Sequence, residues 1–488
     1  MKKTMKTLTA LALCLCLLCG VLASPALAAL PDSTRLEQLI DGAVGYGKGA
    51  QSDLVNTESL GTLADLDWWV FGAARAGAQA DYRTYLAAIS TFLEENDSQS
   101  VTDVERMFLA VKAAGGDPAA IGGRNLLKEL EQADMSTVNA AVFGLLCLGS
   151  VDYTPSADAL NTVQSLIASL RTLQAADGSF GFSYDGVTYV DAGLTAQVVT
   201  ALAPYYAADS TAKDIADKAL AYLSGIQQAD GSFTSWGAVD STAVAETVVA
   251  LCALGKDPSA EAAFQKMSGG LVDAMLALCD ASGAYDINAY NVKMSTRTGL
   301  MAFAALKEHS ASAAGNRSLY NLRNVQPLQA NMTLEELRSA LAAVEAAPTL
   351  DNKVTVSSLL LELSLIPAAD AEKTDLQTRL NAVKAKILTA KQTVQKLDED
   401  IWNQIDPMNV TLKEKDTVAA LMARYNALPD ADKAYVENRQ DLLDAAAKIA
   451  ELEAAQAPAT GGRSAAALYA ALALLGLCGA AILHQKKF

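Results

Sequence analysis

The chain has 488 residues, 51% hydrophobic and 19% charged, with 38 Lys and Arg against 55 Asp and Glu and a net charge of −17. That balance excludes wholesale disorder and argues against nucleic acid as a partner. Aromatics are only 6% and alanine is abundant, so helices are favoured over sheets, and the length allows several domains. At the start, Lys2, Lys3 and Lys6 precede an apolar run from Leu8 to Leu22, and Ala26-Leu27-Ala28 supplies the small residues of a cleavage site. Residues 1–28 therefore read as a secretory signal peptide. Cys14, Cys16 and Cys19 lie inside the run, but Leu17 and Leu18 stand where lipidation needs small residues.

Beyond the signal, apolar helical patterns follow one another. Asp65 to Gly77, Thr102 to Ala114, Ser136 to Leu148, Ala192 to Tyr206, Ser241 to Leu254 and Ser295 to Leu306 are apolar on most sides and predict an inner layer. Ser165 to Gln174, Lys213 to Gln228 and Gly270 to Asp280 have one apolar face and predict an outer layer. The outer patterns end in related turns, Gln174-Ala175-Ala176-Asp177-Gly178-Ser179-Phe180 and Gln227-Gln228-Ala229-Asp230-Gly231-Ser232-Phe233, with a worn third copy at Ala281 to Tyr285. Their glycines are 53 and 52 residues apart, a fixed period that marks a repeat architecture. Helix pairs of this kind stack and bury a shared core, and Gly suits a turn that needs positive φ.

The paired Gln-x-x-Asp-Gly-Ser-Phe turns, with Asp191-Ala192-Gly193-Leu194-Thr195-Ala196 after the first, resemble the prenyltransferase and squalene oxidase repeats of terpenoid cyclases and protein prenyltransferases. The likeness is closer to bacterial surface relatives of those enzymes, whose toroids resemble the helical domain of cobalamin carriers. It covers about residues 30 to 325, and Asp67-Trp68-Trp69 with Ala73 to Gly77, Val248 to Leu251 and Met294-Ser295-Thr296 support it. It implies an all-α chain with an α/α toroid of about six helix pairs over 29–325. Gln174, Asp177, Gly178, Gln227, Asp230 and Gly231 are read as structural, bracing the passage between layers.

Further along, Thr333-Leu334-Glu335-Glu336 and Thr411-Leu412-Lys413-Glu414 read as capping boxes, and a charged amphipathic pattern runs near Asp370 to Ile405. The expected modules are 326–394 and 395–455, the second similar to small helical stalk modules of clostridial surface proteins. After a linker over 456–463, Ala465 to Leu483 is an uncharged apolar run long enough to span a bilayer, followed by Lys486 and Lys487. Ala457-Pro458-Ala459-Thr460-Gly461 resembles the Leu-Pro-x-Thr-Gly sorting signal of Gram-positive surface proteins, through Pro458, Thr460 and Gly461, with Ala457 in place of Leu. By that resemblance a sortase joins Thr460 to the cell wall; the alternative is a permanent anchor over 464–488. Either way residues 29 to 460 face outward, and removing both ends takes away six basic residues and no acid, leaving −23.

Catalytic groups are sparse. The cyclase Asp-x-Asp-Asp acid is absent, because Gly193 and Leu194 follow Asp191 where the other acids belong, and Asp240 stands alone. The zinc site of prenyltransferases needs a His, and outside the tail there is only His309, with no Cys at ligand spacing. No cofactor is expected, with cobalamin open as a ligand. Cys147, Cys252 and Cys279 sit in apolar stretches and read as buried thiols. If the inner helices run parallel, their N-termini gather at one mouth, which places Asp67, Trp68, Asn139, Tyr189, Asp191, Thr195, Asp240, Ser241, Thr242, Ser295 and Thr296 there. Ordinary N-capping would put the same residue types there with no ligand, and Trp68-Trp69 is the better lead because the two rings point in different directions. The expected function is a non-catalytic ligand-binding or adhesive protein on the cell surface. The alternatives are an extracellular enzyme on isoprenoid or glycan material, or corrinoid capture.

Overall fold

Short polar side chains start the helices. Asp32, Asp81, Ser100, Asn125, Thr137, Thr162, Asp191, Asp209 and Asp240 each accept a backbone N–H from the turn that follows, satisfying a donor that the helix leaves free. The computed structural model describes residues 28–55, 63–96, 99–311, 318–366 and 371–456. Residues 1–27 of the expected signal peptide, the expected sorting signal at Pro458, Thr460 and Gly461, and the apolar run Ala465 to Leu483 lie outside the described residues. Among the described residues, no helix is long and apolar enough to cross a membrane.

The chain forms two compact units, the first ending at Ala330. Its helices are α1 (Ser33–Lys48), α2 (Leu63–Ala76), α3 (Tyr82–Glu95), α4 (Val101–Ala113), α5 (Leu126–Gln132), α6 (Val138–Ser150), α7 (Val163–Leu173), α8 (Ala192–Leu202), α9 (Ser210–Ile226), α10 (Ser241–Ala253), α11 (Leu271–Ala277) and α12 (Val292–Ala311). The architecture is all-α apart from two antiparallel hairpins, β1 (Gly181–Tyr184) with β2 (Val187–Val190) and β3 (Thr234–Ser235) with β4 (Ala238–Val239). The helical pattern predicts no strands. Asp185-Gly186, at φ 50° and 75°, and Trp236-Gly237, at 53° and 82°, supply the left-handed pairs that two-residue hairpin turns demand.

Helices of two kinds alternate. α10 buries nearly every side chain from Ala243 to Ala253, and α6 does much the same, whereas α7 buries only Leu166, Ile167 and Leu170. The six segments with apolar residues on most sides coincide with α2, α4, α6, α8, α10 and α12. α2 packs on α4, α4 on α6, α6 on α8, α8 on α10, α10 on α12, and α12 on α2. The one-faced helices pack on that series: α5 on α4, α7 on α6, α9 on α8, α11 on α10, and α1 on α12.

The repeat turns join neighbouring one-faced helices. Gln174 Nε2 donates to the Gly178 carbonyl at 3.1 Å within its own turn and to the Ile215 carbonyl of α9 at 2.9 Å. Gln227 repeats this with Gly231 at 2.9 Å and Phe264 at 3.2 Å. Asp177 and Asp230 each accept the backbone N–H and hydroxyl of the serine two residues on, which closes the turn. Gly178, Gly231 and Gly283 have φ of 93°, 89° and 86°, and a Cβ on any of them would collide with the backbone of Lys218, Gly270 and Gly42 respectively.

A strap, residues 318–330, crosses the C-terminal ends of α2, α4 and α6. Arg75 Nε donates to the Leu319 carbonyl at 2.7 Å, the Leu322 N–H to the Ser150 carbonyl at 3.0 Å, and the Leu328 N–H to the Gly115 carbonyl at 2.9 Å. The latter two carbonyls lie at or just past the ends of α6 and α4, so the strap supplies donors that those ends lack.

The second unit begins at Asn331. It contains α13 (Leu334–Ala346), α14 (Lys353–Leu365), α15 (Ala371–Gln404), α16 (Lys415–Ala427) and α17 (Arg439–Gln456). Capping boxes at Thr333 with Glu336 and at Thr411 with Glu414 are present. The division expected between 326–394 and 395–455 falls inside α15. Leu380, Ile387, Leu397 and Ile401, from both sides of it, belong to one apolar cluster with Leu341, Leu359, Leu421 and Leu442. An uninterrupted apolar stripe along one long helix serves both halves as a shared core, so this segment is one body.

Gly231→Ala is expected to destabilise the protein by roughly 2 kcal/mol or more, combining a strained φ with a backbone collision. Gly237→Ala, at φ 82° with open space around it, carries the strain alone and should cost about 1 kcal/mol. Urea midpoints of the two variants separate the contributions, and equal costs would remove the close approach as a determinant.

Candidate functional site

Residues spaced one helical turn apart line a cavity of about 270 Å³ in the first unit. Thr102 and Arg106 come from α4, Asn139 and Phe143 from α6, Thr242 and Glu246 from α10, and Met294, Arg297, Thr298 and Met301 from α12. Positions i and i+4 lie above one another on a helix, so these pairs are vertical stripes. The first member of four stripes lies in the opening turn of its helix: Thr102, Asn139 and Met294 are exposed and Thr242 half-buried, while Glu246, Met301 and Tyr320 are buried. The cavity therefore opens at the N-terminal ends of these helices and deepens along them. Tyr320 of the strap lines its far end and stacks on Phe71, with centroids 4.9 Å apart.

Trp68 of α2 and Gln197 of α8 complete the wall. The Trp68 ring lies 5.4 Å from Phe143 and meets Phe71 edge-on at 5.9 Å. Its neighbour Trp69 is fully buried, with Gly47 of α1 so close that a Cβ there would meet the indole at 2.7 Å. One indole thus serves the core and the other the cavity.

The remaining predicted site residues distribute differently. Asp67 is fully buried, accepting from the Tyr85 hydroxyl at 2.9 Å and from Arg106 Nε at 2.7 Å, so it fixes Arg106 from behind. Burial raises its carboxyl to about 6 despite both donors. Asp191 and Asp240 cap α8 and α10, accepting from the Leu194 N–H at 2.7 Å and the Ala243 N–H at 2.9 Å. Thr195 and Thr296 are buried, accepting the N–H of Phe180 and of Tyr285 at 3.0 Å each, and the Ser295 hydroxyl donates to the Tyr285 carbonyl at 2.7 Å. The Ser241 carbonyl accepts from the Tyr285 hydroxyl. Asn139 and Thr242 are the polar rim residues that do line the cavity. Tyr189 lies on the first hairpin between Phe182 (5.6 Å) and Trp236 (6.2 Å), and Trp236 is 89% exposed.

Arg106, Gln197, Glu246 and Arg297, the strongest polar groups of the cavity, are not among the predicted site residues. Their signal in the sequence is a polar or charged residue inside an otherwise apolar helix, which for Arg106 and Glu246 stands four positions after Thr102 and Thr242 at the mouth. Arg297 Nη1 contacts Asp65 at 2.9 Å and its side chain is 12% exposed. Its Nε is buried without a hydrogen-bond partner. Glu246 Oε1 accepts from Gln197 Nε2 at 3.0 Å, and burial raises the Glu246 carboxyl to about 7. Elsewhere between α4 and α6, burial pushes the Glu105 carboxyl up to about 9, only partly countered by the Gly144 backbone. Cys147 and Cys252 are buried and Cys279 half-buried, with burial raising the Cys279 thiol to about 11. Among the described residues, no three His, Cys, Asp or Glu side chains gather as a metal-holding group.

A carboxyl raised in the folded state holds a proton that the unfolded chain releases, so its contribution to stability is full below pH 4.5 and declines until the folded value is passed. Glu246 places that decline between about 4.5 and 7, and Glu105 between about 4.5 and 9. Chemical denaturation across pH 4–9 is expected to show Glu246→Gln flattening the curve below pH 7. Glu105→Gln should flatten it up to pH 9, removing on the order of 3 kcal/mol of pH-dependent loss by pH 7. An unchanged slope in Glu105→Gln would mean that this carboxyl ionises normally.

No protein-family model matches the chain, and no curated protein or solved structure is significantly similar to it.

Proposed function

We propose that this is a cell-surface protein whose first unit is an α/α toroid that binds a ligand in its central cavity and performs no catalysis. The series of apolar helices in which α12 packs back on α2 supports the toroid, as do the repeat turns at fixed spacing. Secretion and attachment rest on the sequence at the two ends, with a Gram-positive cell wall or the membrane as the anchor. The observation that carries the binding reading is the cavity itself. It is walled by rings and thioethers, furnished with Arg106, Arg297, Glu246 and Gln197, and open where helix N-termini converge. A net charge of −23 over residues 29 to 460 disfavours polyanionic ligands.

A second reading, an extracellular enzyme on isoprenoid or glycan material, is favoured by Glu246, a buried acid at about 7 inside a cavity. It requires a turnover that Glu246→Gln abolishes while the fold is retained. The corrinoid reading shares the binding test.

Native mass spectrometry of secreted residues 29–460, after exposure to cobalamins, polyprenyl lipids and cell-wall or host glycans, is expected to show one retained small-molecule mass that Trp68→Ala loses. Apo protein throughout would turn the reading towards a scaffold or adhesin with a macromolecular partner. In the native cell, wall digestion should release a chain ending at Thr460, and Thr460→Ala should leave the protein with the membrane.

A further inference from the structure

The cavity presents charges of both signs in a space too small for a polymer. Arg297 lines the cavity with Nη1 held on Asp65 and its side chain 12% exposed, so an incoming carboxylate meets an oriented guanidinium group. Arg106 adds a second guanidinium, held by Asp67 and Asp103 at 2.7 Å each. Glu246 faces the same space with Gln197 on Oε1. A purely anionic guest would meet Glu246 as a like charge or force it to keep its proton, and a purely cationic guest would meet two guanidinium groups. Trp68, Phe143, Met294, Met301 and Tyr320 offer flat and polarisable surface to an apolar body. A volume of about 270 Å³ suits a molecule of amino-acid size.

We propose that the cavity binds a free zwitterionic amino acid with a bulky apolar side chain, its carboxylate on Arg297, its ammonium on Glu246, and its side chain among Trp68, Phe143 and Met301. This rests on the cavity being a ligand site and adds the class of ligand. The guest is neutral overall and pairs Arg297 and Glu246, while Arg106 keeps Asp67 and Asp103, so neither Arg297 nor Glu246 is left buried against an unmatched group. Asp65 holds Arg297 and Gln197 holds Glu246, so both partners are oriented before the guest arrives. Sites built to hydrogen-bond a group reject analogues that lack it.

The test is calorimetric titration of the full chain at pH 7.5 with phenylalanine, 3-phenylpropionate, phenethylamine and 2-phenylethanol, which share the ring and differ in charge. Phenylalanine is expected to bind about tenfold or more tightly than each of the others. Glu246→Gln, which keeps the Gln197 acceptor, should erase its advantage over 3-phenylpropionate. Arg297→Gln should erase its advantage over phenethylamine, and Arg297→Lys, which keeps the cation and should retain part of that advantage, guards against loss of fold in the first arginine variant. Circular dichroism melts establish that each variant is folded. If 3-phenylpropionate or phenethylamine binds as tightly as phenylalanine, the zwitterion class is overturned while the cavity stands as a binding site. The same holds if only 2-phenylethanol binds. If none of the four binds at millimolar concentration, the amino-acid class falls, and the cavity reading falls with it unless native mass spectrometry retains another ligand that Trp68→Ala releases.

Discussion

Where Gly231 meets Gly270, Gly178 meets Lys218, and Gly283 meets Gly42, two backbones approach so closely that no side chain fits between them. The arrangement of the first unit depends on these approaches. Each sets the distance between one outer helix and the next, and in the first two copies a glutamine amide fixes the angle by donating across the gap. The third joins the turn after α11 to α1, elements more than two hundred residues apart in the chain. That contact returns the end of the repeat series to its beginning, and the packing of α12 on both α1 and α2 follows from it. Helices as uniformly apolar as α6 and α10 need partners on several sides, and such a succession of neighbours provides them.

Apolar periodicity told the helices apart, because a helix buried on all sides and one buried on a single face differ in composition as well as spacing. It could not find the strap. Leu319, Tyr320 and Leu322 form no periodic pattern, and their positions are set by carbonyls at the ends of distant helices. The hairpins were legible only in hindsight: Asp185-Gly186 is a common turn signal, but Trp236-Gly237 places a bulky ring at positive φ, which no propensity anticipates. In the second unit, Pro367 and Pro407 flank a helix whose apolar stripe runs unbroken past residue 394, and that continuity outweighs any change in texture.

The site residues divide along a similar line. Counting helix N-termini placed Asp191, Asp240 and Thr195 at the ends of their helices, where they are spent on capping or on the turn before. Trp68 and Trp69 part company, one on the cavity wall and one in the core, because direction on a helix is set by the backbone. Asp67 shows the limit of that approach. One position before Trp68, it points away from the cavity and reaches it only through Arg106. Burial sequesters an acid and exposes its cationic partner, a pairing that depends on α2, α3 and α4 together.

Buried charge gives the cavity its character at a cost. Replacing Arg106, Glu246 and Arg297 by apolar residues of like volume would relieve desolvation that their pairings only partly offset, since even with Arg106 and Tyr85 donating to it Asp67 remains raised. A core selected for stability alone would be expected to fill the centre with more residues like Met301 and Phe143. Instead, two guanidinium groups and a carboxyl are held in fixed orientations by residues that do not line the space, Asp65, Asp67 and Asp103, and by Gln197, which does. Under the proposed binding function, such orientation fixes where a guest's charges must lie before it enters, and places selectivity in the supporting acids as much as in the walls of the cavity.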